Sequence, residues 1–218
     1  MGAQEAATAI RREFTQVHGR APTDRELLIL LSHAQIESGW GGASYLTWPM
    51  SQPNPPNRND KNAPRRGNTH NWGAVQFTGP GAGVEDVDWF YGLDTHADGK
   101  PYRAKIRIYP DDSAGARSFV QNATKFLGRD KSVLPFLDAG DPYDYARRSR
   151  ASGYFELAAD KAGAAFAAAA KSIASKLGLP PPNVGGGSAL GANASDFAGV
   201  AALAVVGAAV AIYWSKRS

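Results

Sequence analysis

The sequence predicts a mainly α fold of the α+β kind: a helical core carrying a small β-hairpin lobe, then a flexible linker and one C-terminal hydrophobic helix. Three observations predict it. Apolar residues recur at helical spacing through most of the first 179 positions, an alternating pattern occupies one stretch in the middle, and Gly and Ala become abundant after Ala158. A chain of 218 residues has room for one ordinary domain and an appendage. The expected division is a body over 1–179, a Pro, Gly and Ser linker over 180–195 and an anchor over 196–218.

The first helix is expected over Gln4 to His18, with Ala7, Ile10, Phe14 and Val17 on one stripe and Gly19 as its stop. After Pro22, Thr23 and Glu26 have capping-box spacing. The run Leu27, Leu28, Ile29, Leu30, Leu31, Ala34, Ile36 is apolar nearly all round, which marks the buried centre of the domain. That helix stops at Ser38 and Gly39, leaving Glu37 in its last turn, where its side chain can reach from the core toward a cleft.

Pro49 to Arg66 is rich in Pro, Asn and Arg and reads as a long surface loop at the rim of a groove. Val75 to Thr78 reads as a short strand before a Gly-rich turn. Trp89 to Leu93 and Tyr102 to Tyr109 alternate, with Asp98-Gly99 between them as a hairpin signal. Asp112 is the expected cap of a helix through Leu127. A shorter helix reaches Ala139, and Asp141-Pro142 opens another in cap-then-proline order, closed by Gly153. Phe155 to Leu177 reads as an Ala-rich helix ended by Gly178 and Pro180, followed by the linker.

A formal charge of +4 and an isoelectric point near 9.3 suit an anionic polymer or a lipid surface. The absence of Cys excludes disulfides and thiolate metal sites. Met1 to Thr8 lacks the order of a secretory signal, so delivery by another route is expected. Phe197 to Ser215 holds nineteen residues without charge. As a helix it spans about 28 Å, near a bilayer's hydrocarbon thickness. Tyr213 and Trp214 then fall at an interface with Lys216 and Arg217 on the cytoplasmic side. Small residues four apart, such as Ala204 with Ala208, equally suit a helix packed inside an assembled particle.

The segment with chemical content is Ile36-Glu37-Ser38-Gly39-Trp40-Gly41. Glycoside cleavage needs a carboxylic acid still protonated near neutral pH, and burial beside apolar and aromatic groups moves a Glu in that direction. A helix-terminal Glu that merely bonds nearby backbone is the bland alternative. Asp94-Thr95-His96-Ala97-Asp98-Gly99 begins like a calcium loop, but Lys105 stands where a bidentate Glu is required, so a hairpin turn is the better reading. His18, His33, His70 and His96 show no zinc spacing, and no metal or cofactor is expected. His33 is one helical turn before Glu37 and within reach of it. Arg103, Lys105 and Arg107 share one strand face, either solvated or turned to an acidic partner.

With these residues in view, the chain resembles the bacterial cell-wall β-N-acetylglucosaminidases of flagellar-rod and autolysin type and, more distantly, the lytic transglycosylases. Besides the Glu37 segment, Asn71-Trp72-Gly73-Ala74-Val75 looks like the family's Asn-aromatic-Gly segment beneath the sugar groove. Arg107-Ile108-Tyr109-Pro110 looks like its strand-end motif, and Ser152-Gly153-Tyr154 like its Gly-Tyr segment. The four occur in the family's order across Pro22 to Leu177. The resemblance implies a lysozyme-like helical core, cleavage of the β-1,4 glycan of peptidoglycan, Glu37 as acid, and a glycan site lined by Trp40, Asn71, Trp72, Gly73, Tyr109 and Tyr154. Its second carboxylate corresponds to Asp94, where the family has Glu, with Glu85, Asp86 and Asp88 as rivals. Glucosaminidase and transglycosylase chemistry both remain open, as does a non-catalytic glycan-binding or structural role. The expected setting is a phage virion lysin, or an enzyme of the bacterial inner membrane with its catalytic domain on the wall side. The expected partners are peptidoglycan, the membrane through the C-terminal helix, and virion or other assembly proteins. Nucleic acid is not among them.

Overall fold

The computed structural model describes residues 1–40, 44–46, 65–73, 88–95, 101–124, 134–151 and 159–184. Helix α1 runs Ala3–His18 and α2 Asp24–Ser38. Strands β1 (Ser44–Leu46) and β2 (Arg65–Asn68) form one antiparallel pair, and β3 (Asp88–Thr95) and β4 (Pro101–Ile108) form another. Helices α3 (Asp112–Thr124), α4 (Leu134–Ala139), α5 (Pro142–Ala151) and α6 (Ala159–Leu177) follow. The described residues are mostly helical, as the apolar spacing predicts.

Helix α2 is the centre because its apolar residues leave no polar side for water. Thr23 caps it by accepting from the Glu26 amide, and the Glu26 carboxylate accepts from the Thr23 amide, so the capping box is complete. Leu27, Leu28, Ile29, Leu30 and Leu31 are all buried, and α1, α3, α4 and α6 pack around them. Each leucine sequestered this way contributes about 1.5–3 kcal/mol. Gly39 ends the helix in the left-handed region at φ 61°, its amide bonding the carbonyl of Gln35.

The hairpin pairs Asp88 with Ile108 and Thr95 with Pro101, as the alternation predicts. Three expectations need correcting. The stretch ending at Arg66 is not loop throughout, since Arg65 and Arg66 pair with Leu46 and Tyr45; strand pairing there rests on backbone bonds that no side-chain alternation announces. The cap of α3 is Asp111, whose Oδ1 accepts from the Ala114 amide, while Asp112 is the first helical residue. Arg107 is buried, 1% exposed, and not part of a solvated strand face.

Asp141 caps α5 ahead of Pro142, accepting from the Tyr143 and Asp144 amides. Beyond α6, the chain turns back: the Asn183 amide donates to the Gly140 carbonyl at 3.0 Å, so the first residues of the expected linker are tied to the turn between α4 and α5. Among the described residues no helix is long and apolar enough to cross a membrane. The anchor of 196–218, most of the linker, the strand expected at Val75 to Thr78 and the close at Gly153 lie outside the described residues.

Candidate active site

The C-terminal turn of α2, the segment 69–73 and the end of β4 come together. Ser38 joins the first two by donating from Oγ to the Trp72 carbonyl at 2.8 Å. Asn71 joins the second to the third, its Nδ2 donating to the Arg107 carbonyl at 3.0 Å, and the Tyr109 amide donates to the Thr69 carbonyl at 2.9 Å. Three motifs distant in sequence thus form one continuous framework.

Glu37 is buried within it, at 5% exposure. Its Oε1 faces His33 Nε2 at 3.4 Å, one turn back along α2. His33 Nδ1 and the Tyr145 hydroxyl lie 2.7 Å apart, a short hydrogen bond between α2 and α5. Phe119, Tyr145 and Phe166 enclose the imidazole, with ring centroids 5.2, 5.6 and 5.4 Å away. Burial pushes the Tyr145 phenol well above its usual range, a hydrogen bond with Ser149 opposes this, and the nearby Glu37 charge adds to the upward shift.

The backbone around the site is strained at two points. Trp40 and His70 are the non-glycine residues with positive φ, at 60° and 50°, among the described residues. Trp40 is held there by its indole N–H, which donates to the Leu31 carbonyl at 3.0 Å, and by its amide on the Ala34 carbonyl. His70 Nδ1 meets Asp112 Oδ1 at 2.8 Å. Its carbonyl lies so close to α3 that a Cβ on Gly115 would overlap it, so only glycine fits there.

The expected sugar-lining residues therefore divide. Trp40, Asn71, Trp72, Gly73 and Tyr109 are buried. Trp72 belongs to the core cluster at 0% exposure, and the Tyr109 hydroxyl is engaged by Ser118 Oγ at 2.6 Å. As positioned, these five build the frame, and Trp40, Trp72 and Tyr109 expose little of their surface to solvent. Asp94 lies on β3 opposite Tyr102, and Tyr154 lies outside the described residues. Tyr145, Ser149 and Gly115 were not anticipated. A glycine inside an otherwise regular helix was the available signal for Gly115; Tyr145 meets His33 across 112 positions and carried none. Among the described residues, no group of three or more His, Asp or Glu could hold a metal ion.

No protein-family model, curated protein or solved structure matches the chain.

Proposed function

We propose that the chain is a peptidoglycan hydrolase of lysozyme-like fold that cuts the β-1,4 glycan as an endo-β-N-acetylglucosaminidase, with Glu37 as general acid and Asp94 as the second carboxylate. The observation that carries this reading is a glutamate buried at the end of the central helix, beside a histidine and within a frame that gathers three of the four motif segments. A carboxyl withdrawn from water in this way suits an acid that must deliver a proton to a leaving glycosidic oxygen. Asp94, or the substrate's own acetamido group, would then stabilise the positive charge that develops at the anomeric carbon. On the sequence pattern of 196–218, the enzyme works on the wall side of a membrane, in a bacterial envelope or delivered by a phage particle.

One observation favours a second reading. Glu37 meets a histidine that is itself fixed inside the core, an arrangement that would also serve a non-catalytic glycan-binding or structural protein. The deciding experiment incubates the full-length protein, wild type beside Glu37→Gln, with purified peptidoglycan and reads the fragments by mass spectrometry. Reducing GlcNAc ends that vanish in the variant support the glucosaminidase. Anhydro-MurNAc ends mean transglycosylase chemistry instead. No Glu37-dependent release from several wall types overturns the enzyme reading in favour of the second.

A further inference from the structure

Within the segment 69–73, His70 is the residue that stays partly open to solvent. Thr69, Asn71, Trp72 and Gly73 are buried, whereas the His70 side chain keeps 27% exposure. Its neighbours are pinned on both sides. The Thr69 carbonyl accepts from the Tyr109 amide, and Asn71 donates from Nδ2 to the Arg107 carbonyl and from its amide to Thr69 Oγ1. The His70 carbonyl fills the notch that Gly115 leaves in α3. Between these fixed points His70 takes a φ of 50°, where glycine is at ease and histidine is not. A segment that needed only this turn would be better served by glycine, so the imidazole itself has to account for the strain.

Asp112 sets the chemistry of that ring. Its Oδ1 lies 2.8 Å from Nδ1, well within hydrogen-bond length, and joins the segment to the first residue of α3. A carboxylate can only accept, so Nδ1 carries the proton. In the neutral ring Nε2 is then a bare acceptor, and among the described residues nothing is bonded to it. His70 stands two residues before Trp72, whose carbonyl accepts from Ser38, the residue after Glu37. The frame that holds Glu37 therefore offers solvent an acceptor of fixed tautomer and fixed direction.

We propose that His70, oriented by Asp112, is a glycan-contacting residue: Nε2 accepts a hydrogen bond from a hydroxyl or acetamido N–H of an N-acetylated wall sugar. Such sugars are rich in donors, and an acceptor already oriented loses little rotamer freedom on binding. The proposal rests on the reading of this site as one for peptidoglycan glycan, and holds whether or not Glu37 cuts it.

The test measures binding apart from cleavage. Full-length protein carrying Glu37→Gln is titrated near neutral pH with a soluble GlcNAc–MurNAc tetrasaccharide, by calorimetry and, with labelled His, through the imidazole nitrogen resonances. Before glycan is added, His70 is expected to show its proton on Nδ1, and glycan then moves the Nε2 resonance. Added to this parent, His70→Gly suits the left-handed backbone and keeps the fold, seen as a urea midpoint near the parent's, yet weakens binding about tenfold, the scale of one hydrogen bond. His70→Gln places a carbonyl oxygen near the position of Nε2 and binds more tightly than His70→Leu, which shares the strained backbone but accepts nothing. Asp112→Asn lets either tautomer form, which the nitrogen resonances report, and weakens binding less than His70→Gly does. Binding by His70→Gly within about twofold of the parent, equal binding by His70→Gln and His70→Leu, an Nε2 resonance that glycan leaves unmoved, or a neutral ring protonated on Nε2 overturns the proposal. Tetrasaccharide that does not bind the parent overturns it together with the glycan reading of the site. Binding that depends on His70, in a protein whose wild type releases nothing from the wall, supports it and removes the hydrolase reading alone.

Discussion

Glu13 and Glu37 are both buried glutamates on helices, and they are held in different ways. Glu13 accepts from Ser113 Oγ at 2.6 Å, Arg12 Nε at 2.7 Å and Arg117 Nε at 2.8 Å, tying α1 to α3. Burial pushes its pKa upward, but the three donors together outweigh burial and hold the carboxyl below its usual range. The described contact of Glu37 is with an imidazole that is itself backed by a phenol. A carboxylate clamped between two arginines is fixed as an anion and serves as a brace. One that faces a histidine sits among groups that can exchange protons. The surroundings, not the residue type or the depth of burial, separate a structural acid from a candidate catalytic one.

The sharpest way to break that contrast is to remove each charge in turn. On the role proposed for Glu37, Glu37→Gln is expected to lower glycan cleavage by about 10²–10⁴, the usual contribution of a general acid, with little change in urea midpoint. Glu13→Gln is expected to do the opposite. Its arginines are about half exposed and can be rehydrated, so stability falls by about 1–2 kcal/mol while the rate per folded molecule stays. Equal effects of the two substitutions on activity would erase the distinction.

Gly115→Ala tests the frame rather than the acid. Its new methyl group meets the His70 carbonyl, so a loss of about 1–3 kcal/mol is expected in urea unfolding, together with reduced activity. Thermal stability against pH sharpens the comparison further. With its pKa lowered in the native state, Glu13 adds stability above its ordinary value of 4.5, and that stability drains away as pH falls through the lower native value; Glu13→Gln flattens this acid limb. Tyr145, shifted upward, contributes below its ordinary value of 10.0 and loses the contribution as pH climbs through the higher native one, so Tyr145→Phe flattens the alkaline limb. The smallest effect is expected from Thr23→Ala, about 1 kcal/mol from one arm of a capping box at the far end of α2, with catalysis unchanged.

The parts of the fold legible in the sequence were those written in local chemistry. The capping box at Thr23, the αL stops at Gly19 and Gly39, the Asp141-Pro142 start and the alternating hairpin are each set within a few residues of one another. The pair β1 and β2 was not legible, because Arg65-Arg66-Gly67-Asn68 has no apolar alternation. The cap of α3 slipped by one because Asp111 and Asp112 are chemically alike and geometry alone chooses between them. In the site, Glu37 and its neighbour His33 were readable from helical spacing. Burial of Trp72, Asn71 and Tyr109 was not, since a motif names residue types without saying which way they face. Tyr145 and Gly115 take their roles from partners distant in sequence.

The indole of Trp40, folded back on Leu31, closes a loop of nine residues, whereas the Tyr145 hydroxyl reaches His33 across 112. Chain closure becomes harder with the logarithm of loop length, a difference of about 2 kcal/mol between these two. The end of α2 is therefore expected to form early in refolding and the ring around His33 late. Pulse-labelled hydrogen exchange should find the Trp40 amide protected before that of Tyr145; simultaneous protection would mean the whole helical body forms in one step. A chain that builds its acid's perch first and encloses it last passes through a stage in which Glu37 is held in place but still open to water.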